Sequence, residues 1–401
     1  MKKLKPVAVS GMGCLCAAGL NVKDCMDFLF RGERFPSLPA AFANRESLTH
    51  PVFEITKDFF QPQNFRQKEV PRTSALALTA AREAIKDADM NPDLLRKKRV
   101  GVCLGSNVSG GMSGRFLDAC RIPESDPYIL PVHRYNLGNP AVHIAKEFGL
   151  SGPFQTVVNA CSAGGDAIGL ASAWIRTGLC DAVIAGGADA LYEITYFGFI
   201  SLMNSDTEPC KPFDVRRKGL NLGEGAAIML LESEDMLKER EKSPRAWLMG
   251  YGSAGDAHHF TAPHPDGRGL RFAIEEAMKS GGIMPPDLAF VNAHGTGTQD
   301  NDRIESRVFA DLFPKIPFLS TKGYTGHTLG AAGAIEAVFT AACLEQGKIP
   351  ASAGFSESDP ELPASPVREN TEIHGRIAMS DTLAFGGNNA VLILGTGDRK
   401  W

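Results

Sequence analysis

The chain has 401 residues, 43% of them hydrophobic, and a formal net charge of -4, enough apolar content for one large two-part fold or several smaller domains. This balance leaves no electrostatic footprint for nucleic acid, and no apolar run is long enough to cross a bilayer, so neither nucleic acid nor membrane is an expected partner. Nine cysteines at scattered spacing make no disulfide framework, and a reducing, cytoplasmic location is the expectation.

The chain opens on MKKLK and an apolar stretch interrupted by Ser10, Gly11 and Gly13. This reads as mature sequence whose first strand, from Val7 to Ser10, enters a glycine turn. Cys14 and Cys16 lack a second pair at ligand spacing, so zinc is not expected. Further strand-like runs are Val100 to Leu104, Val183 to Ala185, Ala226 to Leu231, Ala246 to Met249, Ala289 to Val291 and Ala390 to Leu394. Helical spacing marks Thr73 to Ala88, Gly165 to Thr177, Gly269 to Lys279 and Ala331 to Gln346. Strand and helix in alternation predict an α/β architecture with largely buried sheets. Each half carries a strand, a reactive-looking turn, a Gly/Ala-rich helix and a closing apolar strand, a weak internal repeat. The charged stretch Glu232 to Arg245 makes the natural join, dividing the chain into residues 1–245 and 246–401. Arg34 to Gln67 and Ala351 to Arg376, rich in proline, are expected as surface loops.

Phe154 to Ile175 concentrates the chemistry. A β-branched run ends at Asn159, Cys161 follows, and small residues open a helix, so the cysteine sits where a strand turns into a helix. The free backbone N–H groups and the helix dipole there favour thiolate over thiol. A buried cysteine is usually only a small hydrophobe, so the other turns must support the assignment. NAHGTGTQDNDRIES places His294 directly after an apolar run; STKGYTGHTLGAAG brings Lys322 and His327; LAFGGNNAVLILG puts Phe385 before Gly386 and Gly387 at a strand edge. Turns at the ends of buried strands are where α/β proteins collect catalytic side chains. A cysteine with two histidines suits acyl transfer through a thioester, with imidazole N–H donors holding an enolate and backbone N–H groups from the cysteine and the Phe-Gly-Gly turn forming an oxyanion site.

Taken together, VAVSGMG, GVCLGS, NACSAGG, AGGADAL, KPFDVRRKG with GEGAA, NAHGTGT, STKGYTGHTLGAAG and FGGNNA resemble the β-ketoacyl-acyl carrier protein synthases, closest to the chain-elongating Cys-His-His type, nearly end to end. The resemblance implies a thiolase-like fold of two similar halves in five αβαβα layers and a decarboxylative Claisen condensation. No cofactor or metal is implied, since substrates arrive on the phosphopantetheine of an acyl carrier protein. A homodimer is expected, with a heterodimer as the variant. Carried over by position, Cys161 is the acylated nucleophile, and His294 and His327 serve malonyl decarboxylation. Lys322 supports the site electrostatically with Glu305 as its acidic partner, and Asp302 stands beside them. Phe385 is the gate, with Gly386 and Gly387 in its turn; Thr296 and Thr298 contact pantetheine; Val108 falls where pocket depth is set.

The chain departs from that pattern in places. Asn159 stands where threonine is common, and the last motif runs Asp381, Thr382, Leu383, Ala384, Phe385, Gly386, Gly387, Asn388, Asn389 where Asn-Ser-Phe-Gly-Phe-Gly-Gly-Thr-Asn is usual. Ala384 in place of glycine is expected to stiffen the gate, which points to a specialised polyketide-like or polyene synthase. Rival readings are a thiolase, which needs a second catalytic cysteine in a turn that Cys343 does not occupy; an initiating Cys-His-Asn synthase; and a non-catalytic chain-length-determining partner subunit, which lacks the nucleophile. His258, His259 and His264 fit no standard ligand set. Arg66, Lys68, Arg72 and Arg82 offer either a docking patch for an acidic carrier or a solvated face.

Overall fold

A computed structural model describes residues 4–40, 42, 48–61, 70–108 and 139–397. The strands are β1 (Val7–Cys16), β2 (Val100–Gly105), β3 (Phe154–Val157), β4 (Ala182–Asp189), β5 (Gly225–Glu232), β6 (Ala246–Gly255), β7 (Leu288–Asn292), β8 (Phe318–Leu319), a small pair β9 (Lys348–Ile349) and β10 (Thr371–Glu372), then β11 (Ile377–Ala384) and β12 (Asn388–Gly395). The main helices are α1 (Val22–Arg31), α2 (Arg72–Asp87), α3 (Pro92–Lys97), α4 (Pro140–Phe148), α5 (Ala163–Arg176), α6 (Glu193–Ser201), α7 (Glu234–Glu239), α8 (Arg268–Gly281), α9 (Gln299–Leu312), α10 (Lys322–Thr325) and α11 (Ala332–Gln346). The predicted helices fall where the spacing put them, to within two residues at most ends.

The internal repeat is far plainer in topology than in sequence. The first half orders its strands β3-β2-β4-β5-β1, and the second orders its own β8-β7-β11-β12-β6. Numbered within each half, both sheets run 3-2-4-5-1. Their directions agree as well: β2 pairs in parallel with β3 and β4, β7 with β8 and β11, while β4–β5, β5–β1, β11–β12 and β12–β6 are antiparallel. A short β1–β6 pairing, Val7 to Val9 against Ala246 to Leu248, joins the sheets edge to edge.

Helices α5 and α11 lie between the two sheets, α5 against β2 and β4 of one and β12 of the other, α11 against β11 and β5. Helix α2 covers β1 and β5 from outside, and α8 covers β6 and β12. The layers are therefore αβαβα, as the thiolase-like resemblance implied. A helix held between two sheets must be apolar all round, and every residue of α11 from Ala332 to Leu344 is buried. Close approach of the central pair needs small residues. A Cβ on Gly164 would meet the Gly330 carbonyl oxygen at 2.7 Å and the Ala334 Cβ at 3.1 Å. The strands β4 and β5 are buried along their whole length, which explains why they read as continuous apolar runs rather than alternating ones.

The charged join has structure of its own: Ser233 caps the short helix α7 by accepting from the Met236 N–H, and Arg240 pairs with the buried Glu232. Arg72 and Arg82 do not form a solvated docking face. Arg72 donates to the buried Glu224, at 2.8 Å from Nε, and Arg82 donates to the buried Glu147, at 3.1 Å from Nε. Arg66 and Lys68 lie outside the described residues. Elsewhere Cys14 and Cys16 meet Cys25 of α1, and the three buried sulfurs lie within 4.8 Å of one another in the core.

Candidate active site

The turn that carries Cys161 is built from backbone strain and one carboxylate. Strand β3 ends at Val157, Ala160 adopts a positive φ of 47°, and α5 begins two residues after Cys161, behind Ser162. A left-handed alanine costs roughly 1 kcal/mol and survives only where its surroundings hold it. Here Asp166 of α5 does so: it accepts from Asn159 Nδ2 at 2.5 Å, Ser162 Oγ at 2.8 Å and Tyr251 Oη at 2.7 Å. The departure at Asn159 thus has a structural use, since its amide reaches the carboxylate that pins the turn.

Cys161, His294 and His327 come together, although the cysteine lies more than 130 residues before either histidine. Their sulfur and ring nitrogens lie within 4.8 Å of one another, the two imidazoles sit edge to face at 5.1 Å, and all three side chains are buried. They line one cavity of about 240 Å³, together with Thr296, Thr298, Phe199, Phe385 and Lys218.

The hydrogen bonds on the far side of each ring fix its tautomer. The Lys322 ammonium donates to His294 Nδ1 at 2.9 Å, and the Leu329 N–H donates to His327 Nδ1 at 3.1 Å. In each neutral imidazole the proton must then be on Nε2. Burial, with the Lys322 charge beside them, holds both histidines well below their ordinary range, so they are neutral at physiological pH. The arrangement offers two Nε2–H donors. Leu329, at φ 53°, is a second strained residue in the site, and its amide is the one that His327 uses.

Lys322 is almost wholly buried and donates to the His294 carbonyl at 2.5 Å as well as pairing with Glu336. This corrects the expected partner: Glu305 does not meet Lys322. Glu305 Oε2 is occupied by the Gly295 N–H at 2.7 Å and Asn301 Nδ2 at 2.5 Å. Asp302 is likewise a brace, accepting from the Phe213 N–H at 2.6 Å and the Gly297 N–H at 3.2 Å. Glu336 escaped sequence reading although its signal is visible: it is the one charge in the run Gly330 to Leu344. Asp381, noted in the sequence as a departure from asparagine, is the one charge within β11.

Phe385, with the two glycines after it, lies beside Cys161. The Phe385 N–H is directed at the Cys161 sulfur. Gly386 and Gly387 follow with φ of 82° and 75°, a backbone that suits glycine. The turn is tied down from outside: the Gly386 N–H donates to the Phe260 carbonyl at 2.7 Å and the Asp256 N–H to the Gly387 carbonyl at 2.7 Å, while Asn388 Nδ2 donates to the Phe385 carbonyl at 3.2 Å. Phe199, which the sequence did not single out, stacks on Phe385 at 5.4 Å and 16°. Thr296 and Thr298 join hydroxyls at 2.8 Å on the cavity wall. Val108 is outside that lining; its N–H donates to Asp189 at 3.1 Å, and residues 109–138, which follow it, lie outside the described residues.

One expectation about the nucleophile changes sign. Burial pushes the Cys161 thiol up to about 12, against the opposing pull of the Lys322 charge and the Phe385 N–H. Desolvation of an anion outweighs the favourable turn, so the thiol is the favoured form of the sulfur.

The beta-ketoacyl synthase N-terminal domain family matches residues 4–236, and the beta-ketoacyl synthase C-terminal domain family matches residues 245–356. The chain is 33% identical over 412 aligned positions to 3-oxoacyl-[acyl-carrier-protein] synthase 2 of Staphylococcus aureus, covering 98% of this chain and 99% of that one. It is 33% identical to the mitochondrial 3-oxoacyl-[acyl-carrier-protein] synthase of Arabidopsis thaliana, covering 81% of this chain and 75% of that one. Among solved structures, the ishigamide ketosynthase/chain length factor superposes with a TM-score of 0.90 at 31% identity, over 98% of this chain and 100% of that one. A beta-ketoacyl synthase from Burkholderia phymatum does so with 0.90 at 29%, over the same shares. Among the described residues, no helix is long and apolar enough to cross a membrane.

Proposed function

The chain belongs to the beta-ketoacyl synthase family, and we propose that Cys161 carries the growing acyl chain while His294 and His327 decarboxylate the malonyl unit that extends it. The observation that carries this assignment is the single cavity in which one sulfur faces two imidazoles of fixed tautomer.

In the first half-reaction the Cys161 sulfur bonds to the acyl carbonyl carbon of an incoming thioester. The bond from that carbon to the carrier's sulfur breaks, and the thiol proton ends on the departing pantetheine. Because the resting sulfur is protonated, proton loss accompanies attack rather than preceding it. The N–H groups of Cys161 and Phe385 receive the oxyanion. In the second half-reaction the malonyl carbon–carboxylate bond breaks and carbon dioxide leaves. The electron pair moves onto the thioester oxygen, where the Nε2–H groups of His294 and His327 hold the enolate. The enolate carbon then attacks the acyl carbonyl, the Cys161 sulfur leaves with its electron pair, and one proton from solvent restores the thiol. Lys322 keeps the His294 donor oriented without touching substrate.

Pantetheine is proposed to pass Thr296 and Thr298, with an acyl carrier protein as the delivering partner and no other cofactor. The catalytic units are the halves 1–245 and 246–401, and the protein acts in the cytoplasm. A second copy of the chain is the proposed partner subunit, docking on β3. The reading as a non-catalytic chain-length subunit is disfavoured by Cys161 and both histidines standing in one pocket. Leu383, Ala384 and Asn388 at the gate favour a specialised acyl substrate over the ordinary saturated series.

The test separates the half-reactions. Mass spectrometry of the protein incubated with acyl carrier proteins bearing different chains is expected to show the acyl adduct on Cys161 and the preferred length. Cys161→Ala should abolish acyl transfer. Cys161→Gln should lose condensation yet keep malonyl decarboxylation, and condensation by that variant would remove the nucleophile assignment.

A further inference from the structure

Behind His294 lies a group of buried charges that the proposed reaction does not use. Asp381 of β11 and Glu305 of α9 are both fully buried and face each other within hydrogen-bonding reach. Neither Asp381 oxygen, nor Oε1 of Glu305, finds a donor in hydrogen-bonding geometry, although the His294 N–H lies close to Asp381. The surrounding charges are already engaged. Lys322 is committed to Glu336 and to the ring and carbonyl of His294. Arg217 meets Asp359 at 2.6 Å, with Asp302 at 3.8 Å, and Asp302 itself braces main-chain N–H groups.

Two carboxyl groups in contact, with no donor in hydrogen-bonding geometry on the facing oxygens, repel unless a proton joins them. We propose that Asp381 is a positioning residue: it shares one proton with Glu305, and the pair holds the His294–Gly295 turn while limiting the charge behind His294 to a single negative. The hydrogen bonds support the bracing role, since the other Glu305 oxygen accepts the Gly295 N–H at 2.7 Å. The titration agrees in direction: burial pushes Asp381 up to about 7, and burial with the Asp381 charge holds Glu305 well above the carboxylate range. The residue is also where this chain departs from the usual asparagine. An amide would donate to Glu305 permanently; an acid does so only while the proton stays.

The consequence for chemistry follows from the sign of the charge. Loss of the shared proton puts a second negative charge behind His294, which opposes the negative oxygen that the Nε2–H groups must stabilise. This step rests on the decarboxylation reading above. The rate of malonyl decarboxylation should therefore fall as pH rises through the loss of that proton, by on the order of tenfold for one added charge at this range. Asp381→Asn and Glu305→Gln should each shift that alkaline limb to higher pH.

Infrared spectroscopy tests the proton independently of activity. At neutral pH the wild-type protein should show a protonated-carboxyl C=O stretch that is absent from Asp381→Asn and from Glu305→Gln alike. Absence of the band from the wild type, or its survival in both variants, overturns the shared proton. An unchanged alkaline limb in Asp381→Asn overturns its influence on His294. If no variant decarboxylates malonyl carrier while the band behaves as stated, the proposed reaction fails and the carboxyl pair stands.

Discussion

At the scale of single residues the site works by opposing effects on one sulfur. The turn and Lys322 favour the thiolate, and desolvation favours the thiol and prevails, with the group pushed up to about 12. Alkylation by iodoacetamide should therefore accelerate about tenfold per pH unit up to that range, with no plateau near pH 8. A plateau there would mean that the thiolate is the resting form. Lys322→Ala removes a charge that lowers the thiol, so the variant should react more slowly at every pH. The lysine also carries a stability prediction. Glu336→Gln breaks a buried ion pair and should destabilise the protein by about 3–5 kcal/mol in denaturant unfolding; an unchanged stability would remove Glu336 as the partner of Lys322. His327→Ala should impair decarboxylation more than acylation, and the reverse pattern in separate assays would exchange the roles. That Cys161, His294, His327 and Phe385 share one cavity was legible because each sits in a glycine-marked turn at a strand end. The contacts of Glu336 and Asp381 were not, because a lone carboxyl in an apolar helix or strand shows its charge in the sequence but not the partner it meets.

At the scale of elements the question is how a cysteine of the first half is held against histidines of the second. The answer is the close contact of α5 with the segment leading into α11. Adding a methyl at Gly164 would drive it against the Gly330 carbonyl and the Ala334 side chain, so the helices must separate or the backbone must move. Gly164→Ala should cost about 1–3 kcal/mol and slow condensation, because the displaced element carries Cys161. Gly198 of α6 supplies the contrast: a Cβ there meets nothing within 4 Å, and the same substitution should stabilise by about 0.4–1 kcal/mol through the unfolded chain. Equal effects at both sites, read by thermal unfolding, would show that the central contact has slack. Helices were well placed from spacing because their apolar faces repeat at the helical period. The strand β11 was missed, its polar residues Ser380, Asp381 and Thr382 being buried where a sequence pattern expects apolar ones. The duplication is faint in sequence because each half keeps strand order and direction, which side chains of many kinds can satisfy.

At the scale of the whole molecule, the first sheet has an unpaired flank among the described residues. Strand β3 pairs only with β2 among the described residues, and beside that edge Phe154 is 53% and Val158 67% exposed. An unpaired edge with exposed apolar side chains is a template for another strand, and a two-fold axis beside β3 would let two copies extend one sheet through both molecules. The edge matters for chemistry because β3 runs directly into the strained turn at Ala160 and Cys161, so a neighbour fixing β3 also fixes the sulfur. Phe154→Glu places a charge in that contact. The wild-type protein is expected to sediment as a dimer and the variant as a monomer with reduced condensation, while its helix content and the Cys161 environment, read by circular dichroism and alkylation, stay folded. A wild-type monomer, or a variant that remains a dimer, would move the partner away from β3. If the wild type forms its dimer only when a related subunit is added, the same edge serves a mixed pair, and Phe154→Glu should then abolish that pairing instead.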